Sequence, residues 1–427
     1  MTSIEPGSHG HGDLPPPNAS ARRLGWPAFA AIGLLACVVA VVGVVVFGNL
    51  TKQEEQTAPL AQEHGHASAN AVVAPASAPL RAGERFVSLG LPDGGTYQPS
   101  APNGGTDDYR CFILDPKLTQ DATLAGVQVV PGNPDLVHHA ILYRLEPSQQ
   151  SAAQTLDANS PGSGWTCFGG TLIPSPAGVG AIDALNDAPW LAAWAPGGKE
   201  SVYDPGSGVK LKKGTQIVLQ MHYNLRQSQG TDNSAVQLRL TDKTQGIADV
   251  HTMLLPAPVE LPCAAGETGR LCDRSAAVYD VTQRFGEDIR GTIAGLQILC
   301  DGNPVRPKAG DTQSCTRKLR ENTRIAAAAG HMHLLGKSIS IDVNPGTDRA
   351  RTVLNIDQWD FDNQGARRLP KAVDLKAGDT VRVRCTHNAK LRSLLPALKG
   401  TEPRYVVWGE GTTDEMCLGV LVVTHPK

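Results

Sequence analysis

The stretch 215-TQIVLQMHYNL-225 decides how this chain is read. Ile217, Leu219, Met221, Tyr223 and Leu225 fall on one face of a strand, and Gln216, Gln220, His222 and Asn224 on the other, because side chains alternate with period two. One face is core. The other is polar and carries a histidine, which therefore points out of the hydrophobic layer. Working outward, the same alternation recurs in 137-VHHAILYRL-145, 235-AVQLRL-240, 336-GKSISIDV-343, 379-DTVRVRC-385 and 416-MCLGVLVVT-424, bounded by Gly, Pro, Asn and Asp. The 45 glycines and 31 prolines favour short strands and turns. No amphipathic helix of any length stands out, and the expectation is an all-β fold.

Composition narrows the class. The 427 residues suffice for two or three domains, and 41% hydrophobic with 19% charged residues is ordinary for a globular protein. Net charge is −2 with both signs mixed and no basic stripe, which argues against a nucleic-acid partner. Leu24–Leu50 holds no charged residue and is long enough to cross a bilayer as a helix. Arg22 and Arg23 precede it, so the N-terminus is expected in the cytoplasm and the rest of the chain outside. Nine cysteines are present; Cys37 lies in the apolar segment, and the other eight, an even number in an exported region, read as disulfides. Residues 1–23 read as a disordered cytoplasmic tail, 24–50 as a single transmembrane helix, and 51–83 as a flexible linker. Ordered structure is expected from near Arg85, as two domains over 84–245 and 246–427. The pairs His9/His11 and His64/His66 sit in the tail and linker and read as solvated.

The chemistry lies in a few side chains. His331 and His333 occupy positions i and i+2, which share a strand face. His138 and His139 are adjacent and point to opposite faces of a regular strand, so both reach one metal only at a strand end or bulge. Neutral imidazoles with a soft thioether, Met416, suit copper cycling between its two oxidation states. Redox chemistry on oxygen is thereby favoured over hydrolysis.

The strings VHHAILY, VLQMHYN, HMHLLGKSIS, RCTHNAK and TTDEMCLG resemble, in order and separation, the copper type II, ascorbate-dependent monooxygenases, the family of peptidylglycine alpha-hydroxylating and dopamine beta-monooxygenases. The resemblance spans about Tyr109 to Thr424. It implies two antiparallel, jelly-roll-like β-sandwich domains, each with one copper, facing across a wet cleft. It implies that His138, His139 and His222 hold an electron-transfer copper, and that His331, His333 and Met416 hold the copper that activates dioxygen and carry catalysis. Gln220 and Tyr109 match positions just behind the first set. Two copper ions, O2, a small substrate, and ascorbate or another one-electron donor follow as cofactors and partners. The resemblance also implies the disulfides Cys111–Cys167 and Cys385–Cys417. Cys263, Cys272, Cys300 and Cys315 allow three pairings, of which Cys263–Cys272 with Cys300–Cys315 is favoured.

The chain departs from the family at substrate positions. Where peptide-amidating members carry an Arg before the H-x-H and an Asn and a Tyr after the methionine, this chain has Ala329, Leu418 and Val420. A neutral or apolar substrate is the expectation, and no acidic residue stands out as the partner of an amine. Competing readings are a zinc hydrolase on His138, His139 and His222, which leaves Met416 and the H-x-H pair unused, and an exported, non-catalytic copper-binding or delivery protein. A blue-copper carrier fits worse, since no cysteine has the needed histidine and methionine spacing.

Overall fold

A computed structural model describes residues 77–426 except Ala177, Gly197 and Gln227. The strands of the first part are β1 (Glu84–Gly90), β2 (Asp107–Leu114), β3 (Ala122–Val130), β4 (Val137–Leu145), β5 (Trp165–Thr166), β6 (Trp190–Trp194), β7 (Ser201–Val202), β8 (Ser207–Leu211), β9 (Gln216–Asn224), β10 (Ala235–Thr241) and β11 (Ala248–Asp249). Those of the second are β12 (His251–Pro256), β13 (Glu260–Leu261), β14 (Thr312–Lys318), β15 (Thr323–His331), β16 (Gly336–Val343), β17 (Arg351–Ile356), β18 (Arg367–Leu375), β19 (Thr380–His387), β20 (Val406–Val407) and β21 (Leu418–Thr424).

The described residues are mostly β, arranged in several antiparallel sheets, consistent with an all-β class. Sheet membership follows chain order. One sheet runs β1-β10-β3-β8-β11, with β7 on β3, and another runs β5-β2-β9-β4-β6. Later strands form the orders β12-β21-β15-β18 and β14-β19-β16-β17, with the small pair β13-β20. All six quoted stretches form strands. The last begins two residues late, leaving Met416 and Cys417 ahead of β21.

Helices are the correction. Gln150–Ala158, Arg274–Phe285 and Asp288–Leu299 are α-helical, against the expectation that no helix of length competes. Arg274–Phe285 starts at Asp273, whose carboxylate accepts the Ala276 N–H at 2.9 Å. Its buried face is Ala277, Val281 and Thr282, too small a stripe to register as amphipathic. Asp288–Leu299 buries Ile289, Ile293 and Leu296, the i, i+4, i+7 spacing of a helix face. Among the described residues no helix is long and apolar enough to cross a membrane. The expected span Leu24–Leu50, the tail before it and the linker up to residue 76 lie outside the described residues.

Four disulfides close the fold: Cys111–Cys167, Cys263–Cys272, Cys300–Cys315 and Cys385–Cys417. They include both pairs implied by the resemblance and the favoured pairing of the other four.

β9 is the middle strand of its sheet. Ile217, Leu219, Met221 and Tyr223 are buried as the alternation requires, but so are Gln220 and His222. The polar face is covered: Gln220 donates to the Cys167 carbonyl and His222 to Asp107, and the segment 408–416 from the far end of the chain closes over the neighbouring β2. The Tyr109 hydroxyl donates to the Glu410 carbonyl at 2.7 Å, and the Thr412 hydroxyl to the Asp107 carboxylate at 2.7 Å.

Candidate metal centre

β2, β9 and β4 bring the first histidine group together. Tyr109 pairs with His222 across β2 and β9, and His139 pairs with His222 across β4 and β9. The register of β4 on β9 slips between Val137 and His139, so His138 is the extra residue of a bulge, the distortion that adjacent histidines need to share a target. As a result the three Nδ1 atoms form a near-equilateral triangle. His138 to His139 is 3.1 Å, His138 to His222 is 3.2 Å, and His139 to His222 is 3.2 Å.

The triangle can be tested against a bound metal. Ring nitrogens about 2.0–2.1 Å from one ion in tetrahedral array lie roughly 3.3 Å apart, and the observed edges match. His222 Nε2 is 2.8 Å from Asp107 Oδ1. A carboxylate accepts only, so Nε2 carries the proton and Nδ1 presents a lone pair to the triangle. The Nε2 atoms of His138 and His139 are buried without a hydrogen-bond partner. Three nitrogens held this closely suit a cation between them. The donor set fits copper, with its preference for imidazole.

His331 ends β15, and His333 lies just past it; their rings are 4.9 Å apart. The i, i+2 reading therefore holds in its outcome, although the strand stops between the two. His331 Nδ1 is 2.6 Å from the Gln364 side-chain oxygen, and His333 Nδ1 is 3.2 Å from the Asp414 carbonyl. Both acceptors fix the proton on Nδ1 and leave Nε2 unprotonated, with a lone pair to offer a metal. His331 Nε2 is buried and has no partner. Met416 is fully buried. Leu418, two residues on, pairs with His331, and the neighbouring Glu415 carboxylate accepts the His333 N–H at 2.9 Å. The start of β21 thus runs beside the second histidine pair.

The two groups adjoin, rather than face each other across a wet cleft. The His139 and His331 rings are 6.4 Å apart. Phe361 stacks on His138 at 4.6 Å and meets His333 edge-on at 6.5 Å. His139, His222, His331 and His333 are all buried, and His138 is half-buried. Burial, with repulsion among the imidazoles, holds His138, His139 and His331 well below the ordinary histidine value. Burial also lowers His333, against the opposing charges of Glu415 and Asp414. Burial alone would raise the Asp107 carboxyl, but hydrogen bonds from His222, Thr412 and Thr106 hold it well below the usual carboxylate range.

Of the two supporting residues expected behind the first group, Tyr109 lies against it, its ring stacked on His222 at 4.0 Å. Gln220 sits one layer back, donating to the Cys167 carbonyl at 2.9 Å and accepting from Tyr143 at 3.1 Å. Sequence reasoning missed Asp107, Gln364, Phe361 and Glu415. Asp107 had a signal, two residues before Tyr109 on the same strand face. Glu415 adjoins Met416. Gln364 and Phe361 come from an irregular loop with no periodic signature.

Residues 308–423 match the family model of the copper type II ascorbate-dependent monooxygenase C-terminal domain. The matched stretch holds His331, His333 and Met416; His138, His139 and His222 lie outside it. No curated protein matches the chain. Among solved structures, the major capsid protein P2 of bacteriophage PM2 aligns over 81% of this chain and 98% of its own, at 9% identity and TM-score 0.29. The allantoicase of Saccharomyces cerevisiae aligns over 78% and 81%, at 9% identity and TM-score 0.17. Likenesses this slight bear on neither fold nor function. By this match, the stretch 308–423 is similar to the C-terminal domain of the copper type II, ascorbate-dependent monooxygenases.

Proposed function

We propose that the protein is an extracytoplasmic copper monooxygenase that hydroxylates a C–H bond of a small substrate, using O2 and ascorbate or a similar one-electron donor. The observation that carries this reading is the triangle of Nδ1 atoms at 3.1–3.2 Å, set beside the His331/His333 pair. His138, His139 and His222 would hold one copper ion, and His331, His333 and Met416 a second. Copper, when bound, supplies one-electron redox chemistry and the activation of dioxygen.

The chain's own residues do the rest. Asp107 keeps the His222 proton on Nε2, while Gln364 and the Asp414 carbonyl keep those of His331 and His333 on Nδ1. Each ring thus offers a fixed nitrogen at no cost in reorientation. Burial favours the neutral form of His138, His139, His331 and His333. Ala329 and Val420 pair across β15 and β21, as do His331 and Leu418. That apolar neighbourhood favours a neutral or apolar substrate. We further read the chain as two jelly-roll-like β-sandwich domains, 84–245 and 246–427, carried by the 24–50 helix with the N-terminus in the cytoplasm.

A second reading, an exported copper-binding or delivery protein without catalysis, draws on the near-complete burial of four of the five histidines, which suits retention of an ion better than access of a substrate. Oxygen uptake by the copper-loaded full-length chain with ascorbate separates the two. A monooxygenase consumes O2 in proportion to a hydroxylated product across a panel of small neutral substrates. Copper binding with no product from any of them favours delivery, and zinc taken up in preference to copper sinks both.

A further inference from the structure

His138 is the ring of the first group that its own strand holds least. It is the extra residue of the β4 bulge and is half-buried, while His139 and His222 are fully enclosed. Its Nδ1 faces the other two Nδ1 atoms, and its Nε2 is buried without a hydrogen-bond partner. His222, by contrast, has the Asp107 carboxylate behind it. A ligating imidazole is ordinarily oriented by a partner on its other nitrogen, and His138 has none. Phe361 meets it instead. The two rings stack with centroids 4.6 Å apart and planes inclined by 21°, a contact that favours one ring orientation.

Phe361 belongs to the 357–366 connection between β17 and β18, is itself half-buried, and stands outside the hydrophobic core. Filling the interior therefore does not account for its place. It also meets His333 edge-on at 6.5 Å, so it touches one ring of each histidine group. The turn is tied down on both sides of it. The Trp359 N–H donates to the Lys337 carbonyl at 2.9 Å, and a Cβ at Gly336 would lie 2.6 Å from the Trp359 ring. The Asp360 carboxylate accepts the Asp362 N–H at 3.1 Å. Gln364 is buried; its side-chain N–H donates to the Phe361 carbonyl at 2.7 Å, while its oxygen accepts from His331 Nδ1 at 2.6 Å. One amide thus grips the Phe361 backbone and a candidate ligand of the second group together.

We propose that Phe361 is a positioning residue: its ring, with the backbone held by Gln364, turns His138 toward His139 and His222, and the turn 359–364 so ties a ligand of one group to a ligand of the other. The proposal deepens the oxygenase reading and rests on it for the role of the triangle as a copper site. The orientation of His138 itself belongs to the metal-free chain and is tested there. In the sequence Phe361 is one aromatic in an irregular stretch, and only the fold sets it against a histidine more than two hundred positions away.

The test compares the unaltered full-length chain with Phe361→Leu, which keeps apolar bulk and loses the flat ring, and with Phe361→Tyr, which keeps the ring. Metal-free protein is acylated with diethyl pyrocarbonate at pH 7, and each histidine is read by peptide mass spectrometry. Phe361→Leu should raise acylation of His138 at least about threefold, the worth of one aromatic pair, and leave His331 unchanged, because the Gln364 link runs through the backbone. Copper(II) affinity of the first group, measured with His331→Ala as background, should fall at least about tenfold in Phe361→Leu. Phe361→Tyr should restore both. Phe361→Met is the second variant and carries the same expectations as leucine. Unchanged acylation of His138, or an equal rise at His138 and His331, overturns the proposal and leaves Phe361 a mere cover. So does copper affinity unaltered by the loss of the ring. If acylation responds as expected while the unaltered chain takes up no copper, the positioning of His138 stands and the oxygenase reading falls.

Discussion

His222, His331 and His333 are each set by a partner on one ring nitrogen, and the two histidine groups divide the roles. His331→Ala should leave the first group intact, so bound copper falls to about one per chain while hydroxylation is lost; His222→Ala should also halve copper but slow electron delivery instead. Metal analysis with product assay checks both, and a His331→Ala protein with full activity would sink the assignment. The buried, neutral state of these rings has a pH signature in metal-free protein. His139 and His331 are held well below the ordinary value, so below about 6.5 the unfolded chain takes up protons that the folded chain does not. Stability must then fall with falling pH, by about 1.4 kcal/mol per unit for each ring. Thermal unfolding of metal-free protein from pH 7.5 to about 5.5 reads this, and a flat profile contradicts it. Bound copper should be released over the same range, since imidazole must be neutral to ligate.

At the scale of elements, two devices aim the ligands. One is the β4 bulge, which turns His138 onto the side of His139. The other is the Cys385–Cys417 bridge, which ties β19 to the residue next to Met416 across 32 positions. Glu415 adds to the clamp, accepting from the backbone N–H groups of His333 and Leu335 at 2.9 and 2.5 Å. Closing a loop of that length contributes about 3–4 kcal/mol. The double variant Cys385→Ser/Cys417→Ser should lose about that much in denaturant unfolding. It should also lose the second copper before the first, because only the second set contains Met416. Equal loss at both sets would show that the bridge merely stabilises the fold.

Across the whole molecule, the first histidine group is completed by the far end of the chain. Thr412 donates to Asp107, Glu410 receives Tyr109, and Phe361 covers His138. Thr412→Val, more than 270 residues from His138 in sequence, removes a buried donor to a carboxylate and should cost about 1–3 kcal/mol. It should also weaken copper at the first group by about tenfold or more, since the carboxylate behind His222 loses its anchor. Copper titration of the variant checks this; unchanged affinity would mean that Asp107 needs only His222 and Thr106.

The sequence by itself determined the strands and the ligand candidates, because alternation and histidine spacing are local properties: Ile217, Leu219, Met221 and Tyr223 face the core wherever the strand is placed, and His138-His139 share a target only at a strand end or bulge. The match over 308–423 agrees with the family resemblance of the second half. Tertiary structure alone decided what lies behind each ring. Asp107, Gln364, Phe361 and Glu410 become partners only once segments hundreds of residues apart are packed together, and packing, unlike periodicity, leaves no mark on a single stretch of chain. It likewise buried the polar face of β9, which alternation could identify as distinct from the core but could not show to be covered.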